Sequence, residues 1–276
     1  MAVSSPGVGD HRMAELLEAV ERHCWDGSRL SLILPGSEAR EEPGRFLQVL
    51  TTVPIGFMNP IVSGRLTLDG AGQVIAGATA ALRDRGLPGL WWLPPSAGPK
   101  DMGDRLAANG WSLQESMPWM ARPLDDPLAE PGAVAGLVVR RVRSPADQTA
   151  WLEVMRSGFG LPDPIARGLD RLSAAAGTDG VWLRYVAFLD GMPAGSAGLN
   201  RAGAVPGLYN VATVPGARRR GVATAVTLAA LRDARAGGAT MAVLGTTEMG
   251  RGIYERLGFR PVGTIDIHGW PAEAPT

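Results

Sequence analysis

The segment from Leu208 to Gly263 constrains the fold more than any other part of the chain. A strand-like run, Leu208 to Val214 (LYNVATV), meets Pro215-Gly216 and then Ala217-Arg218-Arg219-Arg220-Gly221-Val222-Ala223-Thr224, which opens a helix. That helix is predicted over Arg219–Arg235 and stops at Gly237-Gly238. A buried strand is predicted over Thr240–Thr246, a short helix over Gly250–Leu257 with Gly258 behind it, and a strand over Arg260–Ile267. Strands and helices in this alternation specify an α/β chain, a mixed sheet with helices on its faces.

The rest of the sequence follows the same rule. In the first half, Ala14–Ala19 reads as helix and Pro60–Leu68 as a strand ending at Asp69-Gly70. A helix over Ala71–Arg85, a strand over Pro88–Leu93, a helix over Asp101–Asn109 and a strand over Trp111–Met120 complete it. Ala121 to Gly136 (ARPLDDPLAEPGAVAG) carries three prolines and reads as a linker. Beyond it come a strand at Leu137–Val142, a helix at Pro145–Ser157 capped by Ser144, and a helix at Ile165–Ala175. Strands at Trp182–Leu189 and Gly195–Asn200 join through Asp190-Gly191. The expected organisation is a first lobe over 1–122, a linker over 123–136 and a second lobe over 137–276. Leu106 to Trp111 (LAANGW) echoes Tyr254 to Phe259 (YERLGF), a short helix ending in Gly-aromatic before a strand. Repetition and coincidence both remain open for so short a window.

Composition removes several function classes. Lys plus Arg and Asp plus Glu both number 27, so a nucleic-acid partner finds no overall basic charge. The eight tryptophans are scattered over both halves and read as core. One cysteine, Cys24, precludes an intrachain disulfide, and three scattered histidines give no metal-ligand spacing, so no metal is expected. No apolar run is long enough to cross a bilayer, and the first 13 residues lack the apolar core of a signal peptide. The expectation is a cytoplasmic protein with no membrane partner, monomeric or homodimeric.

The chemistry concentrates at Arg218 to Thr224. The start of a helix leaves backbone N–H groups free and carries partial positive charge, which favours phosphate oxygens. Gly221 lets a ligand reach the backbone, Ala223 keeps the next turn open, and Arg218, Arg219 and Arg220 add fixed positive charge. A diphosphate fits these features. Two other motifs fail: Gly70-Ala71-Gly72-Gln73-Val74-Ile75 lacks the third glycine of a dinucleotide fingerprint, and Ala194-Gly195-Ser196-Ala197-Gly198 misses the first glycine of a nucleophile elbow.

Arg218-x-x-Gly221-x-Ala223 resembles the [QR]xxGx[GA] signature of the GNAT acyltransferases, and Ile253-Tyr254-Glu255-Arg256-Leu257-Gly258-Phe259 is similar to that family's second landmark. The resemblance covers about Leu137 to Gly263. The first half is more loosely similar to the degenerate GNAT-like lobe of two-lobed members. The resemblance implies acetyl-CoA as cosubstrate, held by Val211, Ala212, Thr213, Val214, the loop Arg218, Arg219, Arg220, Gly221, Val222, Ala223 and Thr224, and Thr247. It implies an N–H near Val211 or Ala212 that polarises the thioester carbonyl, and Tyr254 as the acid that protonates the leaving thiolate. The implied activity is transfer of an acetyl group to a primary amine of a small molecule, by direct attack with both substrates bound. Thr247 stands where many members have asparagine. Phe159, Asn210 and His268 are candidates for the acceptor site. Glu153, Asp163, Glu248, Asp266 and His268 are available as bases, and none is singled out. Another acyl group, an oxygen acceptor, or a non-catalytic binding role on the same fold stays open.

Overall fold

The alternation read from the sequence becomes one eleven-stranded sheet in a computed structural model that describes residues 8–130, 132 and 134–271. The first half supplies α1 (Val8–Ser28), β1 (Glu38–Glu42), β2 (Phe46–Leu50), β3 (Pro60–Ser63), α2 (Leu68–Arg85), β4 (Gly89–Leu93), α3 (Met102–Ala108) and β5 (Ser112–Pro123). The second supplies β6 (Leu137–Arg141), α4 (Pro145–Phe159), α5 (Asp163–Ala176), β7 (Trp182–Leu189), β8 (Met192–Asn200) and β9 (Gly207–Thr213). It continues with α6 (Val222–Ala236), β10 (Met241–Gly245), α7 (Glu248–Arg256) and β11 (Arg260–Trp270).

The strand order is β1-β2-β3-β4-β11-β5-β10-β9-β8-β7-β6. The two halves therefore do not form separate sheets. β11, from the second half, lies between β4 and β5 of the first; β5, from the first half, lies between β10 and β11 of the second. All three contacts in this exchange are antiparallel, whereas the flanking βαβ units are parallel: β3 with β4 around α2, and β9 with β10 around α6.

The echo in the sequence is a structural repeat. Asn109 N–H bonds Leu106 O at 2.9 Å, Gly110 bonds Ala107 O at 3.1 Å and Trp111 bonds Leu106 O at 3.1 Å. Leu257, Gly258 and Phe259 bond Tyr254 O, Glu255 O and Tyr254 O in the same order, each at 3.0 Å. Gly110 and Gly258 hold φ of 80° and 84°, a left-handed conformation that ends each helix and aims the following strand into the exchanged position.

Several boundaries differ from expectation for local reasons. The segment Ala121–Pro123 is strand, not linker, because it pairs with Val243, Ala242 and Met241 of β10. Thr67 Oγ1 accepts from Gly70 N at 3.1 Å, so Asp69-Gly70 lies in the first turn of α2 and not in a loop. α6 starts at Val222 instead of Arg219, because Arg219 and Gly221 take positive φ of 61° and 77°. The helix read at Ala14–Ala19 is the middle of a longer α1, and the stretch between it and Arg45 adds the charged edge strand β1, whose five residues are all exposed.

Arg122 of β5 locks the exchange. Its guanidinium is 3% exposed and donates to the carbonyls of Leu257, Asp126 (3.2 Å) and Pro127 (3.3 Å), while its Nε donates to Pro123 O at 3.0 Å. A first-half arginine thus closes the end of α7, satisfying a carbonyl that the helix leaves free. Fragments 1–128 and 129–276 are expected to be insoluble or uncooperative when made singly, since each lacks a central strand of its own sheet. Made together they should co-purify and melt as one unit. A cooperative thermal transition for 129–276 alone would contradict this reading of the exchange.

Candidate active site

β9 and β10 are paired only at Gly207–Val243 and Leu208–Leu244. β10 then follows β5, with Thr246 N bonded to Pro118 O at 2.9 Å, while β9 follows β8. The two strands separate as a wedge. Between Ser196 and Gly198 the register with β9 slips by one residue, and Asn210 carries the bulge with φ of 55°. Ser196 Oγ donates to Asn210 O at 2.9 Å and pins it, which gives that serine a structural task in β8. Past the bulge, alternate backbone groups of Val211 to Thr213 turn away from β8 into the wedge.

The loop at the head of α6 stands beside the wedge. Ala217 and Val222 are buried and anchor it, while Arg218, Arg219, Arg220 and Gly221 are exposed. Gly221 has no side-chain cap for the helix, so the first-turn N–H groups, including those of Val222, Ala223 and Thr224, face outward unpaired by the helix itself. Arg220 lies 3.6 Å from Asp190, leaving Arg218 and Arg219 as the freer cations. A Cβ at Gly195 would fall 2.3 Å from Val222 Cγ1, so the glycine in β8 lets α6 sit close on the sheet.

Tyr254 sits on α7 with 8% of its surface exposed, edge-on to Phe259 at 6.0 Å between ring centres. Burial pushes its phenol up to about 12, so it holds its proton at neutral pH. Thr247 serves as N-cap of α7, accepting from Gly250 N at 3.4 Å.

On the far side of the bulge lies a cavity of about 500 Å³ built by both halves. Asn210 and Phe159, two candidates for the acceptor site, both line it. His268 does not. It lines a different cavity of about 480 Å³ beside Lys100, Met102 and Asp266, on the α3 side of β11. Its ring is 4% exposed, and burial lowers its pKa against the opposing pull of Asp266. Glu153, Asp163 and Glu248 are exposed and line neither cavity, and Asp266 accepts from Ser116 Oγ at 2.6 Å.

Two residues that sequence reasoning passed over form the floor of the larger cavity. His23 of α1 and Tyr209 of β9 meet at 2.8 Å, and His23 Nδ1 lies 2.8 Å from Val205 O. A carbonyl only accepts, so Nδ1 carries the proton, Nε2 is bare, and the Tyr209 hydroxyl donates to it. Burial lowers His23 to about 4 and raises Tyr209, so both stay neutral. Cys24 beside them is buried, and burial raises its thiol too. The 186-residue separation of His23 and Tyr209 left no pattern to read in either half.

In the first lobe, β3 and β4 stay paired at Pro60–Leu90, Ile61–Trp91 and Val62–Trp92, and Arg65 bridges Gly98 beyond them. The connection into α2 has only Gly64 to Thr67, against Val214 to Gly221 before α6. That lobe has neither wedge nor loop.

A stability measurement follows from His23. The unfolded chain takes up a proton near 6.5, the folded one near 4, so this contribution is full above pH 6.5 and is lost as pH falls toward 4. The full difference is about 3 kcal/mol. Chemical unfolding between about pH 7 and pH 4.5 should show a shallower pH slope for His23→Gln than for the native chain. Equal slopes would mean that His23 is already charged in the fold.

Residues 198–262 match the model of the acetyltransferase (GNAT) domain, a span that runs from β8 through the wedge, the loop and Tyr254 into β11. Among curated proteins none matches the sequence at a significant level. The fold resembles a GCN5-related N-acetyltransferase from Kribbella flavida, with 19% identity, TM-score 0.72, and coverage of 91% of this chain and 96% of that one. It also resembles a conserved protein of unknown function from Staphylococcus epidermidis, at 12% identity and TM-score 0.68 over 86% and 95% of the two chains. A tandem GNAT protein of the clavulanic acid biosynthesis pathway aligns over 98% of this chain and 97% of its own, at 15% identity and TM-score 0.58. The sequence match thus falls on the elements that build the wedge, and the fold of the whole chain, with the same topology repeated in both halves, is similar to that of GCN5-related N-acetyltransferases, a tandem GNAT protein among them.

Proposed function

We propose that the chain is an acyl-CoA-dependent N-acetyltransferase that moves an acetyl group from acetyl-CoA to a primary amine of a small molecule. The observation that carries this reading is the wedge between β9 and β10, opening beside the unpaired N–H groups at the head of α6. The loop 218–224 suits a diphosphate, with Arg218 and Arg219 as counter-charges, and the wedge offers backbone N–H and C=O groups to the amides of the pantetheine arm. An N–H at Val211 or Ala212, beyond the Asn210 bulge, would then donate to the thioester carbonyl and stabilise the charge that develops on its oxygen. The amine attacks from the cavity side, and both substrates are bound at once.

Tyr254 would serve the leaving sulfur. Its phenol, near 12, is a weaker acid than an ordinary thiol at about 8.5. The environment therefore supports a hydrogen bond to the developing thiolate with the proton following late, rather than early proton transfer.

Saturating acetyl-CoA should raise thermal stability, by about 2.7 kcal/mol at 100 times its dissociation constant. Gly221→Asp places a side chain at a φ of 77° and a negative charge against the diphosphate. That variant is expected to lose the shift. A shift of unchanged size would place the cofactor elsewhere.

Tyr254→Phe retains the ring and its packing on Phe259. Single-turnover transfer should slow by roughly 10²- to 10⁴-fold, with acetyl-CoA affinity nearly unchanged. A rate within about threefold of the native chain would remove Tyr254 from the chemistry.

A further inference from the structure

We infer that the acceptor is a weakly basic amine, such as a ring-bound amino group, carried on a largely apolar and uncharged body and bound in its neutral form in the cavity between the two lobes. The inference rests on the acetyltransferase reading above and names the substrate class of that same site.

The wall of the cavity has no Asp, Glu, Lys or Arg among the described residues that line it. Its surface is Leu30, Phe57, Met58, Met155, Leu161 and Ile165, with Trp92, Trp119 and Trp182 beside them. The indole nitrogens of those three tryptophans are shut off from solvent-sized space and have no partner, so the rings present carbon to the cavity. Most polar groups on the wall are already engaged. Tyr209 donates to His23, Asn200 Nδ2 donates to Gly27 O at 2.9 Å, its Oδ1 accepts from Ala202 N at 3.0 Å, and Ser28 Oγ donates to Cys24 O at 2.6 Å. His23 stays uncharged, as its hydrogen bonds and burial require. Asn210, at the bulge, is the polar point nearest to where the acetyl group would arrive.

An alkylammonium entering this space would leave water with no carboxylate to meet it, a cost of several kcal/mol unless it first sheds its proton. Nothing on the wall takes that proton. A weakly basic amine has no such proton to lose at neutral pH. Its nitrogen lone pair attacks the acetyl carbon, the C–N bond forms and the C–S bond breaks. One N–H proton leaves nitrogen and one arrives on sulfur, giving amide and free thiol with no net proton released. This balance needs no general base, in agreement with the absence of one from the cavity.

The cavity reaches the surface at Phe159, 52% exposed at the end of α4. A separate molecule can enter there, whereas the tail of a long acyl donor would need only a blind tube leading from the thioester. A volume of about 500 Å³ lies in the range of drug-sized ligand sites.

The test uses the full chain with acetyl-CoA and matched amines: aniline against benzylamine, with spermidine as a polycation. Thiol release at pH 7 should favour aniline in kcat/KM by about tenfold or more, and spermidine should be the poorest. The gap should narrow as pH rises and benzylamine loses its proton. Preference for benzylamine or spermidine at pH 7 would overturn the inference while leaving the acetyltransferase reading intact. Absence of both an acetyl-CoA thermal shift and any thiol release would instead remove that reading. Binding of aniline derivatives, followed by tryptophan fluorescence, then decides the cavity by itself: no binding rejects it.

Two variants place a carboxylate on the wall, Ser31→Asp inside and Phe159→Asp at the mouth, where the exposed position tolerates charge. Either one that keeps the acetyl-CoA shift should move the preference toward benzylamine. An unmoved ratio in Phe159→Asp overturns the placement of the acceptor. Dodecanoyl-CoA turning over faster than acetyl-CoA, with aniline displaced, would assign the cavity to the acyl chain and also overturn it.

Discussion

The pairing of β5 with β11 is the contact on which everything else in this molecule rests. Each strand is the missing piece of the other half's sheet, and the two run side by side from Arg260–Ala121 to Gly269–Ser112. Because β10 is held by β5 on one side, its course is set by the first lobe, and it parts from β9 after two residue pairs. The cleft is thus a consequence of the exchange: β9 obeys its own lobe while β10 obeys the other. Arg122 adds a directional lock, since its buried guanidinium holds the end of the helix that carries Tyr254. The charge is accommodated because carbonyl oxygens surround it, which is the condition for burying an arginine at all.

The two lobes share a topology but only one opens. The difference lies in a few residues. In the second lobe, Asn210 bulges β9 outward and an eight-residue turn precedes α6; in the first, β3 and β4 stay zipped and a four-residue turn runs directly to the Thr67 cap. The first lobe contributes in another way. Its α1 and the segments around Phe57 and Trp92 complete the apolar cavity, so the lobe without a wedge still shapes the space beside the other one's.

What could be read from the sequence was local. The turn from Arg218 to Thr224 was legible because a helix start, a glycine and arginines suffice to describe it, and the Gly-aromatic echo was legible because both copies use the same helix ending. The start of α6 was misplaced by three residues because a left-handed Arg219 leaves no mark in composition. Ala121 to Pro123 read as linker, since their partners Val243 to Met241 lie more than a hundred residues away. His268 lies on the last strand, yet it lines a different cavity, because its side chain takes the face of β11 on which α3 packs. His23 and Tyr209 belong to opposite halves, and only the closed sheet brings them together.

The exchange also sets the order in which the molecule can be made. Until Trp270 has been synthesised, β4 lacks its partner on one edge and β5 lacks a complete partner set, each with an unsatisfied row of backbone groups. At ribosomal speeds the interval between Pro123 and Trp270 is on the order of ten seconds. For much of that time the nascent first half leaves three strand edges without partners, one on β4 and both on β5, with Trp91 and Trp119 among their residues. Such a chain is a natural client for chaperones while it is being translated, and its yield in a cell should respond to their supply more than its final stability suggests.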